Sequence, residues 1–142
     1  MHIKRLYIAF FLALLAGVLA ITPALALVPP LPSSFYGTVR ANGNPVHAGT
    51  LVRGFINGVQ YAETHTLIYQ GDSVYSINIP GDDPSTIGTI EGGKEGDIVQ
   101  FEIENFLTGQ TGVWHSGTNV EINLNISLFN SYIPILRNSK GG

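Results

Sequence analysis

The segment "DIVQFEIEN", Asp97–Asn105, decides the fold class. Val99, Phe101 and Ile103 fall on one side of an extended chain, and Gln100, Glu102 and Glu104 fall on the other. Side chains along a strand point alternately to opposite faces. This pattern therefore marks a strand with one face in a core and one in water. The same alternation recurs on both sides of the segment. In "SVYSINI", Ser73–Ile79, it sets Tyr75, Ile77 and Ile79 against Val74, Ser76 and Asn78. It is clearest in "NVEINLNI", Asn119–Ile126, where Val120, Ile122, Leu124 and Ile126 are expected inward and Asn119, Glu121, Asn123 and Asn125 outward.

Further strands are expected in "SFYGTVR" (34–40), "GTLVRGFI" (49–56), "VQYAETHT" (59–66) and "QTGVWH" (110–115). Turn chemistry separates them. "ANGNP" at 41–45 combines Asn-Gly with a following proline. Asn57–Gly58 is a two-residue hairpin signal, so its flanking segments should pair antiparallel. Gly71–Asp72 and "LTG" at Leu107–Gly109 are read as turns as well. Periodicity gives no helix after residue 27. About seven short strands with one apolar face each predict a single antiparallel β-sandwich over 35–126.

The ends of the chain carry other signals. Lys4 and Arg5 precede an unbroken apolar run, Ile8–Ile21. Pro23 and the small-residue pattern Ala24–Leu25–Ala26 follow it. The run is shorter than the roughly 20 apolar residues that span a membrane, so 1–26 is expected to be a cleaved export signal with no stable span left after cleavage. "LVPPLPSS", 27–34, is a proline-rich lead-in that disfavours helix. Without Lys4 and Arg5, five cationic side chains face ten carboxylates, a formal charge of about −5. Such a surface repels nucleic acid. The chain has no cysteine, so an exported domain must be held by packing and strand pairing alone.

Strand–Gly–strand followed by "NGNPV" and a second glycine, in "FYGTVRANGNPVHAGTLVRGFINGVQY", resembles the opening of carboxypeptidase-regulatory-like (transthyretin-like) Ig-type β-sandwich domains of secreted bacterial proteins. "YSINIPGDDP" and "GGKEGDIVQFEI" resemble the same group, so the similarity covers about Phe35–Ile126. It implies a non-enzymatic structural, adhesive or accessory role outside the cell or in its envelope. Related pilin-type sandwiches carry a Lys–Asn/Asp isopeptide bond. Lys94 lies in a loop and Lys140 in the tail, so no such bond is expected here.

Four features are candidates for chemistry or binding. The loop "PGDDPSTIGTIEGGKEGD", Pro80–Asp97, holds Asp82, Asp83, Glu91, Glu95 and Asp97. It reads as a solvated turn or as a calcium site that stabilises an adhesin-like domain, since calcium takes six to eight oxygen ligands. It lacks the EF-hand pattern. Trp114, with Tyr36, Tyr61, Tyr69 and Tyr75, reads as core or as the contact surface of a carbohydrate-binding module. His47, His65 and His115 have no zinc-type spacing, and "WHSG" at 114–117 lacks the nucleophile-elbow pattern, so no catalytic residue is assigned. The tail "SLFNSYIPIL" carries Leu128, Phe129, Tyr132, Ile133, Ile135 and Leu136, and its end resembles the aliphatic–Pro–aliphatic tails of some bacterial exported proteins. It is expected to fold back or to engage a protein partner or a second copy, with Pro134 restricting it to an edge strand.

Overall fold

A computed structural model describes residues 28–127. Among them there is no helix, and so none long and apolar enough to cross a membrane. Ten strands follow one another: β1 (Ser33–Ala41), β2 (Asn44–Pro45), β3 (Leu51–Ile56), β4 (Val59–His65), β5 (Leu67–Tyr69), β6 (Asp72–Ile79), β7 (Ile98–Ile103), β8 (Phe106–Val113), β9 (Asn119–Glu121) and β10 (Leu124–Ile126). One sheet runs β10-β1-β6-β5, with β2 and β9 also paired to β1; the other runs β4-β3-β7-β8.

The two sheets share one core. Phe35, Val39, Tyr75, Ile77, Ile79, Leu124 and Ile126 come from the first sheet; Val52, Ile56, Val99, Phe101 and Ile103 come from the second. Each strand's alternation supplies them. In β7 the buried positions are Val99, Phe101 and Ile103, and in β6 they are Ser73, Tyr75, Ile77 and Ile79. Phe101 takes an edge-to-face contact with Phe35 at 5.4 Å and another with Tyr75 at 6.3 Å. Such pairs add about 0.5–1.5 kcal/mol beyond the area they bury. The Tyr75 hydroxyl donates to the Ile122 carbonyl at 2.9 Å, so the ring is buried without an orphaned polar atom. Burial pushes the Tyr75 phenol above its ordinary range.

The chain changes sheets at Thr66. His65 ends β4 and Leu67 begins β5, and the fully buried Thr66 hydroxyl pins the crossing. It donates to the His47 carbonyl at 2.8 Å and accepts the Thr50 N–H at 3.1 Å.

The described residues form ten strands where about seven are expected from the sequence, and the structure departs from the sequence expectations in three further ways. The first is pairing. β1 meets β6 antiparallel, but β9 and β10 run parallel to β1, in the registers Phe35↔Val120 and Val39↔Leu124. The second is the closing segment, which is broken rather than continuous. Between β9 and β10 the Ile122 N–H bonds to Tyr36 O at 2.7 Å, and Val120 is 38% exposed instead of inward. The third is the β7–β8 turn. It lies at Glu104–Asn105, with Glu104 at φ +56°, whereas Leu107–Gly109 is inside β8. Contacts from β3 fix this turn: Leu51 N–H donates to Glu104 Oε1 at 3.0 Å, and the Arg53 guanidinium donates to the Glu104 carbonyl and to Asn105 Oδ1. The Asn57–Gly58 hairpin forms as expected, with a bulge at Gly54/Phe55.

The break between β9 and β10 depends on Gly37. A Cβ there would lie 2.4 Å from the Ile122 carbonyl oxygen, and φ is +154°. That oxygen is held by Tyr75, so the backbone cannot yield easily. Gly37→Ala is expected to cost about 2–3 kcal/mol, a fall in Tm of roughly 10 °C or more by thermal denaturation. Gly109→Ala, with nothing within 4 Å of the added carbon, should stay within about 0.5 kcal/mol of the parent.

Candidate functional site

The long acidic loop is built as a cap over Trp114. Where β6 ends, the Gly93 N–H donates to Pro80 O at 2.8 Å and the Asp82 N–H donates to Gly93 O at 3.0 Å, forming a Gly81↔Gly93 bridge. Trp114 is locked beneath it. Its indole Nε1–H donates to Ile79 O at 3.1 Å, its backbone N–H to Asp97 O at 2.8 Å, and its carbonyl accepts Gly96 N–H at 3.0 Å. A Cβ on Gly93 would lie 2.5 Å from Trp114 Cδ1, and one on Gly81 would lie 2.4 Å from the Pro30 ring. Both glycines are thus required by close approach to a ring. At 2% exposure Trp114 takes the core reading of its two alternatives, and its ring is not available as the sugar-contact surface. Tyr75 is likewise buried, whereas Tyr36 and Tyr69 are exposed on other strands.

The five loop carboxylates do not converge. Asp82 pairs with Lys94 Nζ at 3.3 Å and accepts the Glu91 N–H at 2.9 Å. Asp83 accepts the Ser85 N–H and hydroxyl at 2.8 and 2.7 Å, a local Asx turn. Glu91 accepts from the Thr86 hydroxyl at 3.2 Å, and Asp97 accepts the Lys94 N–H at 2.8 Å. Glu95 pairs with the His115 ring. Among the described residues no three His, Asp or Glu side chains form a group able to hold a metal ion. Of the two readings of the loop, the calcium cluster at Asp82, Asp83, Glu91, Glu95 and Asp97 is not assembled: four of the carboxylates satisfy donors within the loop, and Glu95 pairs with His115 and the Ser116 N–H. His47 and His65 do not join His115 in such a group either.

His115 and Glu95 have the form of the acid–base half of a triad, but the neighbouring hydroxyls serve the backbone. Ser33 is fully buried. Its Oγ lies 3.0 Å from Thr118 Oγ1 and accepts the His115 N–H at 3.5 Å. The Ser116 hydroxyl donates to Leu31 O at 3.3 Å. These contacts fasten the lead-in and the 114–118 turn to the cap. Beside them a cleft of about 390 Å³ is lined by Val28, Pro30, Asp82, Lys94 and Glu95.

Two apolar edges remain uncovered among the described residues. β5 ends the first sheet, and all three of its side chains are exposed: Leu67 at 69%, Ile68 at 53% and Tyr69 at 64%. At the start of β8, on the edge of the second sheet, Phe106 and Leu107 are each more than half exposed. Sequence reading missed both, because β5 is only three residues long and Leu107 was assigned to a turn. The expected tail residues Leu128, Phe129, Tyr132, Ile133 and Ile135 lie outside the described residues. The chain matches no family model, no curated protein and no solved structure.

The His115 ring holds the Glu95 carboxyl below the ordinary range, with the Ser116 N–H adding to the effect. A depressed carboxyl stabilises the fold above its unfolded-state pKa, and that contribution is lost as the pH falls through the lowered value. Side-chain NMR titration should place Glu95 below the usual glutamate range, and His115→Ala should move it back up. An unmoved Glu95 would show that the ring contact does not operate in solution.

Proposed function

We propose that the chain is an exported, non-enzymatic interaction module of a bacterial cell envelope. Copies assemble head to tail, the C-terminal segment Tyr132–Leu136 of one chain adding to the β5 edge of the next. The observation that carries this reading is β5 itself: a sheet-terminal strand with Leu67, Ile68 and Tyr69 all exposed and no Lys or Pro among them. Natural edges are usually blunted by charge, proline or a covering element, because an open ladder edge recruits another strand. β5 pairs with β6 on one side, through Leu67↔Val74 to Tyr69↔Asp72, and its other side ends the sheet.

The chemistry of "YIPIL" suits that edge. Alternate aliphatic side chains can pack on the exposed β5 residues while the backbone extends the ladder. Pro134 lacks an N–H and is tolerated in an added edge strand. Each new backbone bond nets about 0.5–1.5 kcal/mol, so a three-residue edge gives weak, reversible contacts unless they are multiplied along an array. A tail-to-edge contact is heterologous, so it propagates into rings or open filaments. The export signal at 1–26 and the likeness to carboxypeptidase-regulatory-like Ig-type domains belong to the same reading, supported by the two-sheet all-β architecture. The charged residues of the cap fit it as well, since they are taken up in holding the loop.

In sedimentation velocity the mature chain is expected to associate as its concentration rises, and deleting residues 131–142 is expected to abolish that association. Leu67→Lys should weaken it at least tenfold while changing stability by no more than about 0.5 kcal/mol. Unchanged association in both variants would remove tail-to-edge assembly as the function.

A further inference from the structure

The seam between the two sheets is closed on one side by β8 and β10, which face each other without forming a ladder. A side chain bridges them: the Asn125 N–H donates to Gln110 Oε1 at 3.1 Å. Farther up, a Cβ on Gly112 would lie 3.1 Å from Ile122 Cδ1. Ile122 therefore lies beside Gly112 and Asn125 beside Gln110, so each step forward along β10 is a step back along β8. Continued beyond Ser127, the same register brings the chain alongside Leu107 and Phe106. There a groove of about 500 Å³ is lined by Asn105, Phe106, Leu107, Gln110, Ile126 and Ser127.

The next two residues of the sequence are Leu128 and Phe129, followed by the polar Asn130 and Ser131. We infer that Leu128 and Phe129 of the same chain seat over Phe106 and Leu107, prolonging β10 beside β8 and closing the seam. Two lines of reasoning favour the same chain over a second copy. Ser127 is itself part of the groove wall, so the two residues need to reach only about 7 Å. A segment tethered that closely has an effective concentration in the millimolar range, which outcompetes a free copy at ordinary protein concentrations. The apolar pair ends where the exposed apolar wall ends. The tail is thereby divided into an inner part that completes the domain and an outer part, Tyr132–Leu136, that stays available. This inference does not rest on the assembly proposal.

The absence of cysteine makes the test clean. In the mature chain, Leu107→Cys is paired in turn with Leu128→Cys and Phe129→Cys, and the proteins are oxidised under air. A disulfide needs Cα atoms about 4.4–6.8 Å apart. At least one pair is expected to form a monomeric, intramolecular disulfide, seen as faster migration on a non-reducing gel and loss of both alkylatable thiols. Leu107→Cys with Ile135→Cys should stay reduced. Covalent dimers, or free thiols in both near pairs, overturn the inference. Truncation gives an independent readout: a chain ending at Ser127 should melt roughly 5 °C or more below one ending at Asn130. Equal Tm values overturn the seating, whatever the oligomeric state of either truncation.

Discussion

Phe101 is the point on which the two sheets meet. Its ring receives Phe35 and Tyr75 from the opposite layer, each at a steep angle, and these three side chains fix how far apart the sheets stand. In a chain without cysteine no disulfide can share that task. The spacing sets demands elsewhere. Gly112 has no side chain because a Cβ would lie 2.5 Å from Phe35 Cε1, and Gly54 has none because Ile79 Cδ1 fills its place at 2.4 Å. Protein interiors are packed as densely as organic crystals, so a single methyl at either position displaces an aromatic ring or a core isoleucine.

The same need to exclude water explains the long loop. A two-layer sandwich is open at its ends, and here one end is plugged by Trp114. Its single polar atom must find a partner inside, and the last carbonyl of β6 provides one. The loop then passes over the indole as bare backbone, through Gly81 and Gly93. The acidic side chains on its outer surface hold this thin cover in shape by binding neighbouring N–H groups, hydroxyls, Lys94 and His115. Charge at this site is therefore architectural; strands with exposed apolar side chains lie at β5 and at the start of β8, and the loop itself exposes Ile87 and Ile90.

How much of this could be read from sequence follows from the range over which each determinant acts. The alternations of β6 and β7 were legible because burial there is decided within the strand. The Asn57–Gly58 hairpin was legible because two residues dictate its backbone. The parallel placement of β9 and β10 was not, because an alternating strand carries no mark of its neighbour's direction. Val120 alternates correctly in sequence yet stays exposed, since the strand breaks at Ile122, whose carbonyl comes close over the bare Cα of Gly37. The turn at Glu104–Asn105 contains neither glycine nor proline. Arg53 and Leu51, some fifty residues earlier, stabilise it. For the loop, composition suggested a cation site, but only the three-dimensional arrangement reveals that each carboxylate already has a local donor. Trp114 could be read either way, because a lone indole in a sequence does not say which side of a sheet it occupies.

The parallel partnership of the first strand with the last has a consequence for biogenesis. Ser33 and Thr118, which touch in the finished fold, are 85 residues apart along the chain. A polypeptide emerging amino end first carries β1 with one flank bare until Asn119–Ile126 has been made. At about 5–20 residues per second that interval lasts roughly 4–17 s. Throughout it the first sheet lacks the two strands that pair with that flank of β1.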